Sequence, residues 1–316
     1  MKITAIGEIL IDLTQTHMDE NGAPRFAAHP GGAPANVAVA ARKLGAETAF
    51  IGCVGNDLFG QMLRDTLVKQ GVGTDGLQVT DKANTTLAIV MVSPDGERSF
   101  SFYRKPGADT LISSDRAVKD AAGTGILHFG SVSLTDPSCR EAVIAAIREA
   151  KSSGALISYD PNYRASLWPD EKTAVEVMRS AVPLADVLKV SDEESLLLTG
   201  CTVLEEAADR LLAMGPKFVA ITLGSEGVLI ARKSIKERVA AFSVKCTDTT
   251  GAGDSFWGGF LSCWLSYGVG IDEMAWEDLL NCARTGSAFA ALCVQKRGGI
   301  PAVPGKAEVE QFLRAH

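Results

Sequence analysis

The sequence lacks the features of a basic, disulfide-bonded or membrane-spanning protein. Lysine and arginine number 31 against 38 aspartate and glutamate, and the formal net charge of −7 argues against a nucleic-acid surface, which would be basic. The seven cysteines are an odd number without CxxC spacing, so we expect reduced core residues of a cytoplasmic protein. The first residues, MKITAIGEILIDL, predict a strand and not a leader, and no apolar run approaches the roughly 20 residues of a membrane span.

Several catalytic motifs are also missing. The sequence has no P-loop of the form GxxxxGK[ST], no GxSxG nucleophile elbow, no HExxH, and only four histidines. One GxGxxG occurs, from Gly71 to Gly76, but it follows a helical pattern and precedes a short strand. This order is the reverse of the dinucleotide-binding context, so we predict a loop here. A nicotinamide-dependent oxidoreductase therefore stays only as a weak alternative, which a cofactor absorbance assay would test.

Strand-length apolar segments alternate with helical patterns along most of the chain, which predicts an α/β sheet covered on both faces. Several of the strand segments are almost continuous in Val, Ile, Leu and Ala, as is typical of buried parallel strands. The predicted strands are Ile3–Leu10, Thr48–Val54, Ile126–Val132, Ala155–Tyr159, Val187–Val190, Phe218–Thr222 and Val228–Ala231. The predicted helices are Pro34–Leu44, Phe59–Gln70, Ser138–Ser152, Glu171–Ala181, Leu204–Met214, Ser255–Ser266 and Leu279–Cys293.

Two stretches interrupt this alternation. Residues 14–30 are polar with a turn at Asn21-Gly22, and residues 85–110 contain two strand patterns around Ser93-Pro94-Asp95-Gly96, which predicts a β-hairpin. We expect these insertions to form a small sheet of their own outside the main one. Extra edge strands of the main sheet are the alternative.

The segment DTTGAGDSFWGGF, which begins at Asp248, has four glycines between Gly251 and Gly259. We predict a tight turn through Gly251, Ala252 and Gly253 that opens a helix at Asp254–Ser255. Backbone N–H groups at such a helix start form an anion site, to which glycines allow close approach. Asp254 alone would suit an ordinary N-cap. Beside an anion site, however, a carboxylate suits phosphoryl transfer to an alcohol, because it accepts the departing proton.

This segment resembles the C-terminal signature of the PfkB, or ribokinase-like, carbohydrate kinases, D-T-x-G-A-G-D-x-F-x-x-G. Gly31-Gly-Ala-Pro-Ala-Asn36 is similar to the N-terminal signature, and Gly7–Leu13 resembles the family's first strand. The resemblance covers essentially the whole chain. It implies a single kinase domain over residues 1–316, with a three-layer ribokinase-like α/β fold, a mostly parallel central sheet and a small protruding β-sheet lid at about 14–30 and 85–110.

The resemblance also implies roles for individual residues. It assigns Asp254 as the catalytic base, and the turn of Gly251, Ala252 and Gly253 as the anion hole for the transferred phosphoryl group. The residues expected on the substrate side are Asp12, Gly31, Gly32, Asn36, Tyr103, Arg104, Asn162 and Arg164. Hydroxyl-rich sugars need such acceptors and amides in a concave site.

On the nucleotide side the resemblance implies ATP and Mg²⁺. The family's Asn-x-x-Glu has its counterpart in Ser191 and Glu194, with Glu194 reaching Mg²⁺ through water. Lys189 either faces the phosphates or is a lysine at a sheet edge. The further residues expected at the nucleotide are Thr222, Gly224, Gly227 and Ser287. Asp248, Thr250 and Gly298 correspond to a monovalent-cation site, which implies K⁺.

The sequence indicates the type of reaction more clearly than it indicates which sugar is the substrate. The stretch FYRKPGAD, residues 102–109, resembles fructokinases, so fructose 6-phosphate is the expected product. A 2-keto-3-deoxygluconate kinase, in which Tyr103 and Arg104 would hold a carboxylate, and a ribokinase-type enzyme are the alternatives. A non-catalytic sugar-binding relative is the alternative of another class. The family also implies a homodimer that pairs through the lid sheet, with a sugar and ATP as small-molecule partners.

Overall fold

The computed structural model describes residues 1–92 and 98–316. Within these residues the chain forms two separate sheets. The larger contains β1 (Lys2–Ile6), β4 (Glu47–Gly55), β5 (Leu77–Thr80), β8 (Ile126–Gly130), β9 (Leu156–Asp160), β10 (Val187–Ser191), β11 (Phe218–Thr222), β12 (Val228–Arg232) and β13 (Ile235–Val239). The smaller contains β2 (Leu10–Met18), β3 (Pro24–Gly31), β6 (Leu87–Val92) and β7 (Arg98–Tyr103).

The larger sheet has the order β13-β12-β11-β10-β9-β8-β1-β4-β5. The strands from β11 to β5 are parallel, whereas β12 and β13 are antiparallel. The smaller sheet, in the order β3-β2-β6-β7, confirms the predicted separate sheet. The predicted turn at Ser93–Gly96 lies outside the described residues.

Helices cover both faces of the larger sheet and complete the predicted three layers. Apolar side chains of α3 (Ser114–Ala121), α4 (Pro137–Ser152), α5 (Glu171–Ala181), α6 (Asp192–Thr199) and α7 (Leu204–Ala213) pack on one face. Side chains of α1 (Ala33–Lys43), α2 (Leu58–Gln70), α8 (Ala252–Tyr267) and α9 (Trp276–Cys293) pack on the other, and α10 (Lys306–Ala315) packs against α1 and α9. No helix among residues 1–92 and 98–316 is both long and apolar enough to cross a membrane.

The predicted first strand, Ile3–Leu10, is wrong as a single element. Strand β1 ends at Ile6, and the chain leaves the larger sheet through Gly7 before β2 begins at Leu10 in the smaller one. Gly7 has φ +150°, and a Cβ there would lie 2.8 Å from Cγ of Pro34, so the crossing requires glycine. This crossing places Glu8 between the two sheets, at the carboxyl edge of the larger one, where ligands bind in open α/β folds.

Candidate active site

A cavity of about 790 Å³ lies between the smaller sheet, the start of α1 and the start of α8. It is lined by many of the residues that the sequence predicts to be functional: Asp12, Gly32, Asn36, Asn162, Arg164, Lys189, Asp248, Thr250, Gly251, Gly253, Asp254 and Gly298. The remaining predicted residues, which do not line it, are Gly31, Tyr103, Arg104, Ser191, Glu194, Thr222, Gly224, Gly227, Ala252 and Ser287. The topology therefore brings together segments that are up to about 290 positions apart in the sequence.

Helix α8 begins two residues earlier than expected, at Ala252 and not at Asp254–Ser255. Gly251 is its N-cap residue in the left-handed conformation, with φ 75°, which explains a glycine at this position. Asp254 is consequently the third helical residue and not the N-cap. The Ala252 N–H already donates to the Thr249 carbonyl at 3.1 Å. Gly251 and Gly253, by contrast, both line the cavity at the positive end of the helix dipole.

Asp254 is buried, and two amides from other parts of the chain hold its carboxylate. Asn36 Nδ2 donates to Oδ2 at 2.7 Å, and Asn162 Nδ2 donates to Oδ1 at 3.4 Å. Asn162 has φ 48°, a left-handed conformation that asparagine tolerates better than most residues. Burial raises the pKa of Asp254, whereas the Asn36 hydrogen bond and the charges of Lys189 and Arg164 oppose the increase. Such a carboxylate is positioned to accept a proton inside the cavity.

Lys189 lies beside the start of α8, and a Cβ on Gly253 would be 3.0 Å from its Nζ. Its strand, β10, is flanked by β9 and β11, so the edge-lysine alternative is wrong. Lys189 Nζ donates to Asp160 Oδ2 at 2.8 Å in a buried ion pair. Burial alone would lower the pKa of Lys189, but the carboxylates of Asp160 and Glu194 outweigh it and raise that pKa. Lys189 is therefore positively charged next to the N-terminal end of α8, at the positive end of the helix dipole.

Asp12 lies on β2, where it pairs in register with His29 on β3. Burial raises the pKa of Asp12 to about 6, with Arg164 opposing and Asp254 adding to the increase. A Cβ on Gly31 would be only 2.1 Å from Asp12 Oδ2. Gly31 therefore makes room for the Asp12 carboxylate and does not itself line the cavity.

Arg104 has partners other than the sugar that the sequence suggested. Its Nε donates to Asp109 Oδ2 at 2.7 Å, and its two terminal nitrogens donate to Thr135 Oγ1 at 2.6 Å and the Val132 carbonyl at 3.1 Å. The side chains of Arg104 and Asp109 are 6% and 0% exposed, so this is a buried ion pair. Tyr103, next to it, is 62% exposed and does not line the cavity.

Asp248 ties the glycine turn to the late loop. Its Oδ1 accepts from the N–H and Oγ1 of Thr250 at 2.9 and 2.7 Å, and its Oδ2 accepts from the Gly298 N–H at 3.0 Å. The three residues expected at a monovalent-cation site are thus contiguous. Carbonyl and carboxylate oxygens are the donors that an alkali cation takes.

Most of the residues expected at the nucleotide lie at or just after the ends of β10 and β11. Ser191 and Glu194 form a capping box at the start of α6, and Glu194 Oε1 also accepts from the Tyr163 N–H at 2.7 Å. Thr222 donates to the Val190 carbonyl at 3.3 Å. A short 3₁₀ helix begins at Gly224, and Gly227 has φ 106°; Ser287 is buried on α9.

Glu8 is a residue of this site that the sequence reasoning missed. It lines the cavity at 2% exposure, and its Oε1 accepts from the Ala33 N–H at 3.1 Å, at the start of α1. Burial raises the pKa of Glu8 to about 7, and the Asp109 charge adds to the increase while Arg104 opposes it. The available signal was an acidic residue directly after Gly7, where an apolar strand breaks. His29 and Arg297 also line the cavity and were not predicted.

Comparison with known proteins agrees with this geometry. The model of the pfkB family of carbohydrate kinases matches residues 1–306, and the chain belongs to that family. Within the family it is a carbohydrate kinase that resembles fructokinases. Fructokinase-2 of Solanum lycopersicum is 40% identical over 319 residues, which is 99% of this chain and 96% of the relative.

Solved structures give the same result. A double-mutant fructokinase from Vibrio cholerae O395, with fructose, ADP and potassium ion bound, has a TM-score of 0.88 and 32% identity over 99% of this chain and 98% of that chain. An Escherichia coli protein in complex with ATP and Mg²⁺ has a TM-score of 0.86 and 28% identity over 100% of this chain and 99% of that chain. The ribokinase-like fold predicted from the sequence is thereby confirmed.

Proposed function

We propose that this kinase transfers the γ-phosphoryl group of ATP to the 6-hydroxyl of D-fructose, giving fructose 6-phosphate and ADP. The observation that carries the proposal is the buried carboxylate of Asp254 in the first turn of α8, held by Asn36 at 2.7 Å in a cavity that Asp12 also lines. A proton acceptor and an anion-binding helix end are thereby one turn apart. These are the two groups that phosphoryl transfer to an alcohol requires.

In the proposed reaction, Asp254 accepts the proton of the attacking hydroxyl while that oxygen forms a bond to the γ-phosphorus. The bond from the γ-phosphorus to the β,γ-bridging oxygen breaks, and ADP takes the electron pair. The helix end at Gly251 and Gly253 stabilises the negative charge of the phosphoryl group. Lys189 adds a fixed positive charge at the same end. Asp12 accepts hydrogen bonds from sugar hydroxyls, supported by Asn36 and Asn162.

Magnesium fits this arrangement as a companion of the nucleotide. The described ranges contain no group of three or more His, Cys, Asp or Glu side chains that could hold a metal by themselves. Mg²⁺ in kinases is held by phosphates and water with one or two carboxylates, and its charge offsets that of the phosphates. Asp160, whose buried Oδ1 has no hydrogen-bond partner, and Glu194 supply hard oxygen donors near Lys189. The Asp248–Thr250–Gly298 contact is proposed as the K⁺ site.

The buried ion pair between Arg104 and Asp109 favours a neutral sugar over a sugar acid as the substrate. A 2-keto-3-deoxygluconate kinase needs a cation for the substrate carboxylate, but Asp109 already neutralises Arg104 inside the protein. Removing Arg104 from Asp109 would leave a buried carboxylate unpaired, which is costly. We therefore place fructose ahead of 2-keto-3-deoxygluconate, with ribose as a further candidate.

The direct test is ADP formation with fructose, ribose, 2-keto-3-deoxygluconate and aminoimidazole riboside, measured side by side at equal Mg²⁺ and K⁺. We expect the highest kcat/KM with fructose, and a product that mass spectrometry and NMR identify as the 6-phosphate. A higher kcat/KM with 2-keto-3-deoxygluconate would overturn the assignment of the sugar. Sugar binding without ADP formation from any of the four would favour the non-catalytic relative. Light scattering of the same sample tests the proposed lid-to-lid homodimer.

A further inference from the structure

Helices α8 and α9 pack in direct backbone contact at two glycines. A Cβ on Gly259 would lie 3.2 Å from Cα of Gly286, and a Cβ on Gly286 would lie 2.6 Å from the Phe256 carbonyl oxygen. The helices are antiparallel, because Thr250 before α8 contacts Cys293 at the end of α9, with 3.9 Å between the carbonyl oxygen and Sγ. In this arrangement, the residue one turn after Gly259 on α8 faces the residue one turn before Gly286 on α9. The two helices are unusually close together at this point.

Two cysteines occupy those positions. Cys263 follows Gly259 by one turn on α8, and Cys282 precedes Gly286 by one turn on α9. Each thiol changes the pKa of the other, as neighbouring side chains do. Asn281 Nδ2 contacts Cys263 Sγ at 3.7 Å and donates to Tyr267 Oη at 2.9 Å, which fixes the next turn of the same helix contact.

We propose that Cys263 and Cys282 are a modification site, a thiol pair that hydrogen peroxide converts to a reversible disulfide between α8 and α9. Disulfides require Cα atoms about 4.4–6.8 Å apart. The glycine contact one turn away holds the two helix backbones unusually close together, as such a bond requires. In a reducing cytosol the pair remains as thiols, so the bond forms only on oxidation. The inference is independent of which sugar the kinase uses.

The two cysteines differ in solvent exposure and in the direction of their pKa shifts, as such a reaction requires. Cys263 is half-buried, whereas Cys282 is fully buried. The neighbouring Cys282 thiol lowers the pKa of Cys263, whereas the Cys263 thiol together with burial raises the pKa of Cys282. Cys263 is therefore the thiol that an oxidant reaches, and it reacts as the thiolate.

The chemistry proceeds in two balanced steps. The Cys263 thiolate attacks one oxygen of hydrogen peroxide, the O–O bond breaks, and hydroxide leaves, so that sulfur is oxidised to a sulfenic acid. The Cys282 sulfur then attacks the sulfenic sulfur, the S–O bond breaks, and water leaves with the thiol proton as the S–S bond forms. A thiol reductant then reduces the disulfide back to two thiols and is itself oxidised to a disulfide.

The test uses peptide mapping of the full-length protein in a Cys246→Ser background, since Cys246 is the exposed cysteine nearest in sequence. Trypsin together with cleavage after glutamate separates Cys263, in fragment 246–273, from Cys282, in fragment 278–284. After peroxide treatment and alkylation under denaturing conditions, we expect these fragments to be joined, with loss of two hydrogen masses. The link should disappear on reduction and should not form in a further Cys263→Ser variant.

The disulfide should also raise Tm by about 2–5 °C, because it constrains the unfolded chain. Reduction should return Tm to its starting value, which separates the disulfide from irreversible damage. Alkylation of both Cys263 and Cys282 after peroxide treatment would overturn the proposal. So would a sulfinic acid at Cys263 beside a free thiol at Cys282. These readouts need only the Cys246→Ser protein, so poor folding of the Cys263 variant leaves the test intact.

Discussion

Asn36 on α1 donates a hydrogen bond to Asp254 on α8 across 218 positions of sequence, with 2.7 Å between Nδ2 and Oδ2. The two family signatures of this chain thus meet in a single contact. The amide stabilises the ionised carboxylate and opposes the burial that raises its pKa. This contact therefore helps to orient the proposed base and to keep it ionised.

Replacing Asn36 by alanine should raise the pKa of Asp254 further. The acidic limb of the profile of kcat/KM against pH should move to higher pH, so that the loss of activity is larger at pH 6 than at pH 9. The measurement is that profile for the wild type and the variant. Asn162→Ala is the matched control, and its longer contact of 3.4 Å predicts a smaller displacement. An equal loss at every pH would mean that Asn36 serves only as a substrate contact.

Replacing Arg104 by methionine should destabilise the fold, because it leaves Asp109 buried without its partner. We expect a loss of about 3–5 kcal/mol in the free energy of unfolding, measured by denaturant titration. Lys217→Ala, which breaks an exposed ion pair with Asp272, should change stability little. A stable Arg104 variant with a strongly raised KM for the sugar would instead identify Arg104 as a substrate ligand.

Glu8→Gln should alter the pH dependence of stability. The folded pKa of Glu8, about 7, is higher than the unfolded value of 4.5, so the folded state holds the proton more tightly. Ionisation of Glu8 consequently reduces stability as pH rises from about 4.5 to 7, and the loss is complete above that range. The variant should gain up to about 3 kcal/mol relative to the wild type over this interval. A constant difference between pH 4.5 and 8 would contradict the assigned environment.

Gly258→Ala should destabilise the protein by about 1–3 kcal/mol. A Cβ at this position would meet Cβ of Ala40 at 2.5 Å and the Val37 carbonyl oxygen at 2.7 Å, so α8 and α1 would be forced apart. The close packing at Gly258 is therefore against helix α1. Gly270→Ala is the control, since no atom lies within 4 Å of its Cβ position. Thermal unfolding of both variants provides the comparison.

Sequence patterns were sufficient to predict the elements that depend only on neighbouring residues in the chain. The almost continuous apolar strands predicted the parallel sheet, and Pro34 predicted the start of α1 within one residue. The glycines at 251 and 253 predicted a turn at a helix start, although the helix begins two residues sooner because Gly251 serves as its N-cap. Local chemistry decides each of these features.

Pairings that depend on how the chain folds back on itself could not be obtained in this way. Asp109 neutralises Arg104 only because the chain folds back between β7 and α3, and nothing in the spacing distinguishes that pair from an arginine that binds substrate. The break of the first strand at Gly7 depends on the approach of Pro34, which belongs to another element. The role of Glu8 was missed for the same reason, since its neighbours Ala33 and Asp109 come from distant parts of the chain.

The most direct test of the account is the Asp254→Asn variant assayed with fructose and MgATP. Asparagine keeps the shape of the side chain and an oxygen for Asn36 but cannot accept the hydroxyl proton. We predict that kcat falls by about 10²–10⁴ while calorimetry gives unchanged dissociation constants for the sugar and the nucleotide. A variant whose kcat stays within a few-fold of the wild type would contradict the assignment of Asp254 as the base.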